Sequence, residues 1–167
     1  HMSQYMKALM KFYKSNPALY QMDYDPEGFE WINSISANEN ILVFLRKTKK
    51  EEETLLVVCN FSALVYEDYK IGVPFHGKYK EIFNSDSAEF GGSGMVNSRA
   101  KTSRKEECSG REESIVIDLA PLGFQVFSCT PEKAPAKTAK PREKTAGKAV
   151  VKKKTPAAGK SKSKGSA

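Results

Sequence analysis

Two unbroken apolar runs, ILVFL at residues 41–45 and LLVVCNF at residues 55–61, constrain the fold of this chain more than any other feature. Both are short, rich in β-branched and aromatic residues, and separated by the charged segment KKEEE at residues 49–53. Unbroken apolar runs of this length are typical of central strands that are covered on both faces. The runs therefore predict two strands, at residues 41–48 and 54–61, joined by a charged hairpin connection.

Five further segments have the composition of short strands: residues 30–35, 67–71, 78–83, 114–119 and 123–128. Roughly seven short strands with frequent turns predict an all-β fold, an antiparallel β-sandwich. Residues 84–113 show no periodicity. Because loops longer than about 12–15 residues are usually functional or disordered, we expect the second half of that stretch to be mobile.

The segment SQYMKALMKFYK at residues 3–14 predicts one short N-terminal helix. Ser3 is placed to cap its start, and Asn16-Pro17 to end it, because the residue before a proline avoids the helical region. Apolar side chains at helical spacing form one stripe: Tyr5, Met6, Leu9, Met10 and Tyr13. One helix cannot bury such a stripe alone, so we expect it to pack on the sandwich or a partner, or to fray.

Charge divides the chain into a mildly acidic body and a strongly basic tail. Residues 131–167 carry twelve Lys/Arg and two acidic residues, against fifteen Lys/Arg and eighteen acidic residues in the remainder. The tail consists mainly of Lys, Ala, Pro, Thr, Gly and Ser. It cannot bury enough apolar surface to offset an ordering cost of about 1–2 kcal/mol per residue, so we predict that it is disordered.

Several classes of protein are disfavoured by composition. The three cysteines, Cys59, Cys108 and Cys129, are far apart and form no CxxC pair, so the sequence indicates neither a zinc site nor a disulfide framework. Reduced thiols favour a cytoplasmic location. No apolar run approaches the roughly 20 residues needed to span a bilayer, so we expect no membrane partner. Residues 1–2 resemble the remnant of a cloning tag.

Four strings carry a resemblance to a known family: DPEGFEWI at 25–32, YKIGVP at 69–74, GKYKEIFNSD at 77–86 and PLGFQVF at 121–127. Their order and spacing resemble the C-terminal end of bacterial 1,4-alpha-glucan (glycogen) branching enzymes, which are members of the alpha-amylase superfamily. The resemblance covers about residues 4–130. The basic tail has no counterpart in the family pattern.

The resemblance implies a parent with an N-terminal β-sandwich, a catalytic (β/α)8 barrel and a C-terminal all-β domain. Residues 3–27 would be the last barrel helix and a linker, and residues 28–130 a β-sandwich of the alpha-amylase C-terminal type. The family's reaction passes an α-1,4 glucan chain to a 6-hydroxyl by retaining chemistry, without a cofactor. It needs two carboxylates at the ends of barrel strands. No motif that carries them occurs here, so we expect no catalytic residues and an inactive chain.

Phe29 and Trp31, the only tryptophan, are the leading candidates for a site. Residues i and i+2 of a strand share one face, so the two rings should lie together. Three interpretations remain open: core, a docking surface for the catalytic barrel, or a platform on which a glucan ring stacks. Tyr24 joins them as a candidate for glucan binding or barrel docking. Three polar side chains lie nearby in sequence: Asp23, Asp25 and Asn33.

The tail suggests an alternative function, the binding of nucleic acid or another polyanion. Its densest basic run is Lys152, Lys153 and Lys154. Lysines neutralise phosphates and release counterions, which gives a salt-sensitive affinity. The tail holds no aromatic residue and one arginine, so such binding would lack sequence preference. The other interpretation of the tail is a solvated appendage.

Overall fold

The computed structural model describes residues 1–33 and 38–132. One α-helix, α1, spans Met2–Ser15. Eight strands follow: β1 Phe29–Asn33, β2 Ile41–Arg46, β3 Leu55–Asn60, β4 Tyr66–Val73, β5 Gly77–Asn84, β6 Lys101–Thr102, β7 Glu113–Leu119 and β8 Gly123–Pro131. The described residues also contain four short 3-10 helices. Two lie between α1 and β1, one between β2 and β3, and one between β5 and β6: η1 Pro17–Leu19, η2 Pro26–Gly28, η3 Glu51–Glu53 and η4 Ala88–Phe90.

The strands form two antiparallel sheets, one of six strands in the order β1-β2-β3-β8-β5-β6 and one of two strands, β4-β7. The predicted antiparallel sandwich with one N-terminal helix is confirmed. So is the central hairpin, in which β2 and β3 pair directly, with Val43 opposite Val58. Charged residues of the connection form η3 and leave the apolar runs to the sheet.

The inner face of the six-stranded sheet packs on the two-stranded sheet and forms the main core. Because side chains alternate along a strand, β2 turns Ile41, Val43 and Leu45 inward, and all three are fully buried. The other large side chains buried in this cluster come from both sheets: Leu56, Ile71, Val73, Tyr79, Ile115, Ile117, Leu119 and Phe127. All strands except the short β6 contribute side chains to this core.

On the outer face of the same sheet, α1 covers a second, smaller core. Its buried members are Ala18, Leu55, Val57, Phe83 and Val126. The Phe12 ring lies 4.8 Å from that of Phe83. Both faces of β3 are therefore covered, which explains why its apolar run is unbroken.

The side of α1 that packs on the sheet is half-buried and differs from the predicted stripe. Its members are Tyr5, Ala8, Leu9 and Phe12, at i, i+3, i+4 and i+7 spacing. Three members of the predicted stripe are exposed instead: Met6, Met10 and Tyr13. The predicted Ser3 cap is also wrong, since His1 occupies the N-cap without a side-chain hydrogen bond. The predicted helix end is confirmed by the extended backbone of Asn16.

The connection between α1 and β1 is anchored to the sheet by Arg46. Its guanidinium donates hydrogen bonds of 3.2 Å to the carbonyl oxygens of Ala18 and Leu19, and it pairs with the Asp23 carboxylate. Further on, a Cβ at Gly28 would stand 2.4 Å from the Met22 carbonyl oxygen, so the turn requires glycine there. These contacts hold the connection against the sheet and so fix the position of α1 on the outer face.

Residues 84–113, predicted as an aperiodic loop with a mobile second half, are tied to the sandwich in the structure. Thr102 of β6 pairs with Lys78 of β5, and Arg104 forms a β-bridge with Ser114. Asn97 is buried and donates from its side chain to Glu81 Oε2 at 2.9 Å. This segment supplies the sixth strand of the large sheet.

Two parts of the chain, residues 34–37 and 133–167, lie outside the described residues. The predicted tail therefore lies outside them from residue 133 onward, as do Lys152, Lys153 and Lys154. Its first two residues belong to the sandwich: β8 ends at Pro131, and the Glu132 carboxylate pairs with Lys78 at 2.7 Å. In the two described ranges, no helix is long and apolar enough to cross a membrane.

Candidate functional site

Part of the outer face, along β1 and β2, is left uncovered by α1. Trp31 of β1 lies opposite Phe44 of β2, and Leu42 lies opposite Cys59 of β3. By strand alternation these side chains turn away from the inner core. We refer to Phe29, Trp31 and Phe44 as the aromatic edge.

The three rings of the aromatic edge contact one another. Phe29 stacks on Phe44 with ring centroids 5.2 Å apart, and Trp31 meets Phe29 at 4.9 Å and Phe44 at 5.8 Å in near-perpendicular contacts. The Trp31 side chain is 48% exposed, whereas Phe29 and Phe44 are half-buried. Edge-to-face contacts with two rings fix the orientation of the indole. Trp31 is thus not a core residue of this chain.

The polar groups around these rings are partly engaged. Asp23 pairs with Arg46, and the Asp25 carboxylate accepts a 2.9 Å hydrogen bond from the backbone N–H of Glu27. Both serve the turn that leads into β1. Asp23 and Asp25 therefore already have structural partners.

Tyr24 stands apart from the aromatic edge. It is fully exposed, and among the described residues it makes no ring contact with Phe29 or Trp31. It lines an open cleft of about 670 Å³ together with Gln21, Lys49 and Lys50. The structure thus brings two of the three predicted site residues together. The residue that sequence reasoning missed is Phe44, whose only signal is its place in the ILVFL run.

One flank of α1, beside the side that packs on the sheet, is a second exposed surface. Met6, Met10 and Tyr13 are 48%, 50% and 42% exposed, and we call them the outer helix face. Three lysines of the same helix lie on the side opposite the sheet: Lys7, Lys11 and Lys14. The helix is therefore apolar on two sides, one covered within this chain and one not.

One cluster resembles a Ser-His-Glu arrangement but lacks its geometry. His76 Nδ1 lies 3.2 Å from Glu113 Oε2 and also 3.2 Å from Ser103 Oγ. A catalytic histidine contacts the nucleophile and the acid through different ring nitrogens, and here one nitrogen faces both. Ser103 is buried, and its oxygen accepts a hydrogen bond from the backbone N–H of Gly77. The cluster joins β5, β6 and β7 and has no nucleophile poised for substrate.

Glu30 serves the structure rather than chemistry. Partial burial alone would raise the pKa of Glu30, but hydrogen bonds and charges from Lys47 and Arg111 together hold it below its ordinary value. Glu30 Oε2 lies 2.8 Å from Lys47 Nζ, and Arg111 reaches the other oxygen from the segment before β7. Glu30 therefore ties the edge strand β1 to the opposite layer of the sandwich.

Cys59 and Cys129 are also unsuited to catalysis. Burial raises the pKa of Cys129 to about 12 and raises that of Cys59 as well, so both stay protonated near neutral pH. Within residues 1–33 and 38–132, no group of three or more His, Cys, Asp or Glu side chains is placed to hold a metal ion.

Comparison with known proteins assigns the family. Residues 31–130 match the family model described as alpha amylase, C-terminal all-beta domain. The chain is 43% identical to the 1,4-alpha-glucan branching enzyme of Oceanobacillus iheyensis over 129 residues. This match covers 77% of this chain and 20% of that protein. For the branching enzyme of Bacillus caldolyticus the identity is 40% over 126 residues, or 75% of this chain and 19% of that protein. For the branching enzyme of Bacillus mycoides the identity is 39% over 147 residues, which is 88% of this chain and 22% of that protein.

The chain spans about a fifth of the length of these curated relatives. The family match runs from β1 to the penultimate residue of β8 and so includes every strand of the sandwich. The resemblance seen in the sequence is confirmed at the level of the domain. The chain belongs to the family of alpha-amylase C-terminal all-beta domains.

Proposed function

We propose that this chain is the non-catalytic C-terminal domain of a 1,4-alpha-glucan branching enzyme, a glycosyltransferase that forms alpha-1,6 branches in glycogen. Sequence identity of about 40% to several branching enzymes supports the assignment. The parent reaction requires no cofactor. A cytoplasmic location is part of the proposal, because all three cysteines, Cys59, Cys108 and Cys129, are free thiols.

The domain's proposed role is to buttress the catalytic (β/α)8 barrel of the same polypeptide. The observation that carries this proposal is the pair of apolar surfaces left uncovered on one side of the large sheet, namely the outer helix face and the aromatic edge. Large exposed apolar surfaces mark interaction sites in soluble proteins. Residues 3–27 would form the last barrel helix and linker, and residues 28–130 the C-terminal domain; the family match begins at residue 31.

A chimera tests the docking proposal. The matching region of the Oceanobacillus iheyensis enzyme is replaced by this chain, and Met6 and Met10 are both changed to Asp. We expect the double variant to lower the Tm and the branching activity of the chimera, because two charges would be buried against the barrel. The isolated chain should keep its Tm, since both side chains are about half exposed there.

Val96→Asp is the matched control for that experiment. Val96 is 46% exposed and lies outside the outer helix face, so the chimera should tolerate this acid. If M6D/M10D and V96D have the same effect on the chimera, the outer helix face does not contact the barrel. The docking proposal would then be wrong.

For the aromatic edge, glucan contact through Trp31 is the alternative to barrel docking. Its half-exposed indole is held in a fixed orientation by Phe29 and Phe44, and the apolar C–H face of glucose stacks well on such a ring. Because Trp31 is the only tryptophan, its fluorescence reports this position alone. We expect malto-oligosaccharides to produce a saturable change in that fluorescence.

Calorimetric titration of Trp31→Ala and Tyr24→Ala with the same sugars assigns the site. We expect Trp31→Ala to lose binding. If Tyr24 belongs to the site as the sequence suggests, Tyr24→Ala should weaken binding as well. Silent fluorescence at millimolar sugar would contradict the glucan role and leave only the buttressing role.

A further inference from the structure

An uncharged apolar patch lies at one end of the sandwich, outside both surfaces described above. Its four side chains are Phe61, Leu64, Val65 and Leu122, which are 63%, 63%, 46% and 72% exposed. The first three belong to the β3–β4 connection and the last to the β7–β8 turn. We call these four residues the end patch.

A buried asparagine holds the two parts of the end patch together. The Asn60 side chain is 2% exposed, and its Nδ2 donates 2.9 Å hydrogen bonds to the carbonyl oxygens of Leu64 and Ala120. The Leu122 backbone N–H donates to the Ser62 carbonyl oxygen, also at 2.9 Å. The end patch is therefore one preformed surface, and not two independent loop tips.

Leu122 adopts a backbone conformation that is unfavourable for leucine. Its φ is +48°, in the left-handed region that normally suits glycine or asparagine. The side chain gains little in return within this chain, because it is 72% exposed. A strained residue that presents an apolar side chain to solvent indicates a contact outside the described chain.

The chemistry of the end patch restricts its partner. Residues 54–66 and 119–131 contain no charged residue, which disfavours a polyanion. Phe61 is the one ring among these four side chains, and none of the four has a hydrogen-bonding group with which to hold a sugar. What remains is an apolar protein surface.

The end patch also continues the outer face of the large sheet. Leu55, Val57 and Cys59 of β3 pack in the outer core, and Phe61 is the next position in the same alternation. The patch therefore borders the side of the sheet on which α1 and the aromatic edge lie. One large partner on that side could contact all of these surfaces.

The size of the end patch favours a partner in the same polypeptide. A stable interface between separate proteins buries about 800 Å² on each side, and four side chains are too few for that. A contact between two domains of one polypeptide needs less area, because the linkage gives the two surfaces a high effective concentration relative to each other. We propose, on the basis of the function proposed above, that the end patch is a second anchor for the catalytic part of the branching enzyme, separate from the outer helix face.

Amide hydrogen exchange in the isolated chain and in the Oceanobacillus iheyensis chimera tests this anchor. We expect peptides covering residues 61–65 and 120–123 to exchange several-fold more slowly in the chimera than in the isolated chain. Peptides of α1 report the outer helix face in the same experiment. The two proposals are thus read from different parts of one data set.

Two variants of the end patch and one control variant make the test independent of folding. Leu122→Gly relieves the positive φ, so the Tm of the isolated chain should stay constant or rise, while that of the chimera should fall by several degrees. Val65→Ser and Val96→Ser form a matched pair, because both valines are 46% exposed. We expect only Val65→Ser to lower the Tm of the chimera.

Three outcomes would overturn the proposal. Protection of α1 without protection of residues 61–65 and 120–123 would exclude the end patch and leave the proposed docking intact. Protection of neither would contradict both proposals. Dimerisation of the isolated chain at micromolar concentration that Leu122→Gly abolishes would identify a second copy as the occupant.

Discussion

The two faces of the large sheet differ in how completely the chain covers them. The inner face is buried against β4 and β7, with side chains such as Tyr79 and Phe127 fully excluded from solvent. The outer face is covered by α1 over β3, β5 and β8 but left open along β1, where Trp31 is 48% exposed. The inner face supplies the main core of the domain. The open part of the outer face is the surface that we propose to contact the catalytic barrel.

The two strands of the central hairpin sharpen this comparison. β3 has five buried residues in six, whereas β2 alternates buried with half-buried residues although its run ILVFL is equally apolar. Leu42 and Phe44 are the apolar side chains of β2 on the outer face. A strand that is apolar on both faces but fully covered on only one supports the proposal that a further layer packs there.

Truncating one phenylalanine on each face of the large sheet should give the largest difference in unfolding free energy between the two faces. We expect Phe127→Ala to cost about 3–5 kcal/mol of unfolding free energy, because its ring is fully buried. Phe44→Ala should cost about 1–2 kcal/mol, because that ring is half-buried at the edge of the outer core. Urea unfolding monitored by circular dichroism measures both. Equal costs would contradict the unequal cover of the two faces.

Removing the contact between α1 and the sheet should have an intermediate effect. We expect Phe12→Ala to cost about 1–3 kcal/mol, because its ring packs 4.8 Å from that of Phe83. Amide exchange should accelerate throughout α1 while Val58 on the inner face stays protected. Loss of protection at Val58 to the same extent would show that the helix and the sandwich unfold together.

We expect the smallest effect on stability from the ion pairs of Glu30, which join β1 to the opposite layer of the sandwich. The pKa of Glu30 is lowered in the folded state despite partial burial, because Lys47 and Arg111 stabilise its carboxylate. Its contribution to stability is therefore present above the unfolded-state pKa of about 4.3 and is lost as pH falls through the lower folded pKa. We expect Glu30→Gln to reduce the loss of Tm between pH 7 and pH 3.

Glu67→Gln provides the control for that measurement, because Glu67 is an exposed carboxylate on β4. The expected difference in unfolding free energy for Glu30 is below about 1 kcal/mol, since its partners are partly solvated. Identical pH profiles of the two variants would show that the Glu30 ion pairs contribute nothing to folding.

Local pattern was enough to predict most of the strands. The central hairpin and the sandwich follow from short apolar runs, each bounded by turn-forming or charged residues. The path of residues 84–113 could not be predicted, because single long-range hydrogen bonds hold it. Asn97, for example, contacts Glu81 on β5 and the backbone carbonyl of Asp118 on β7, and such pairings leave no periodic signal.

The candidate site was predictable only within one strand. The i, i+2 spacing places Phe29 and Trp31 together, but the contact with Phe44 depends on the register between β1 and β2, which a single strand does not encode. The buried face of α1 was missed for a related reason. Apolar residues occur on two sides of that helix, and periodicity does not reveal which side meets the sheet in this chain.

The central claim is that the open part of the outer side of this domain contacts the catalytic part of a branching enzyme. Hydroxyl-radical footprinting of Met6 and Met10, in the isolated chain and in the Oceanobacillus iheyensis chimera, tests it most directly. Both side chains are about half exposed in the isolated chain, and Val96, which is 46% exposed and lies outside the proposed surfaces, serves as reference. We expect oxidation of both methionines to slow several-fold in the chimera relative to Val96. Equal oxidation rates in the two proteins would contradict the claim.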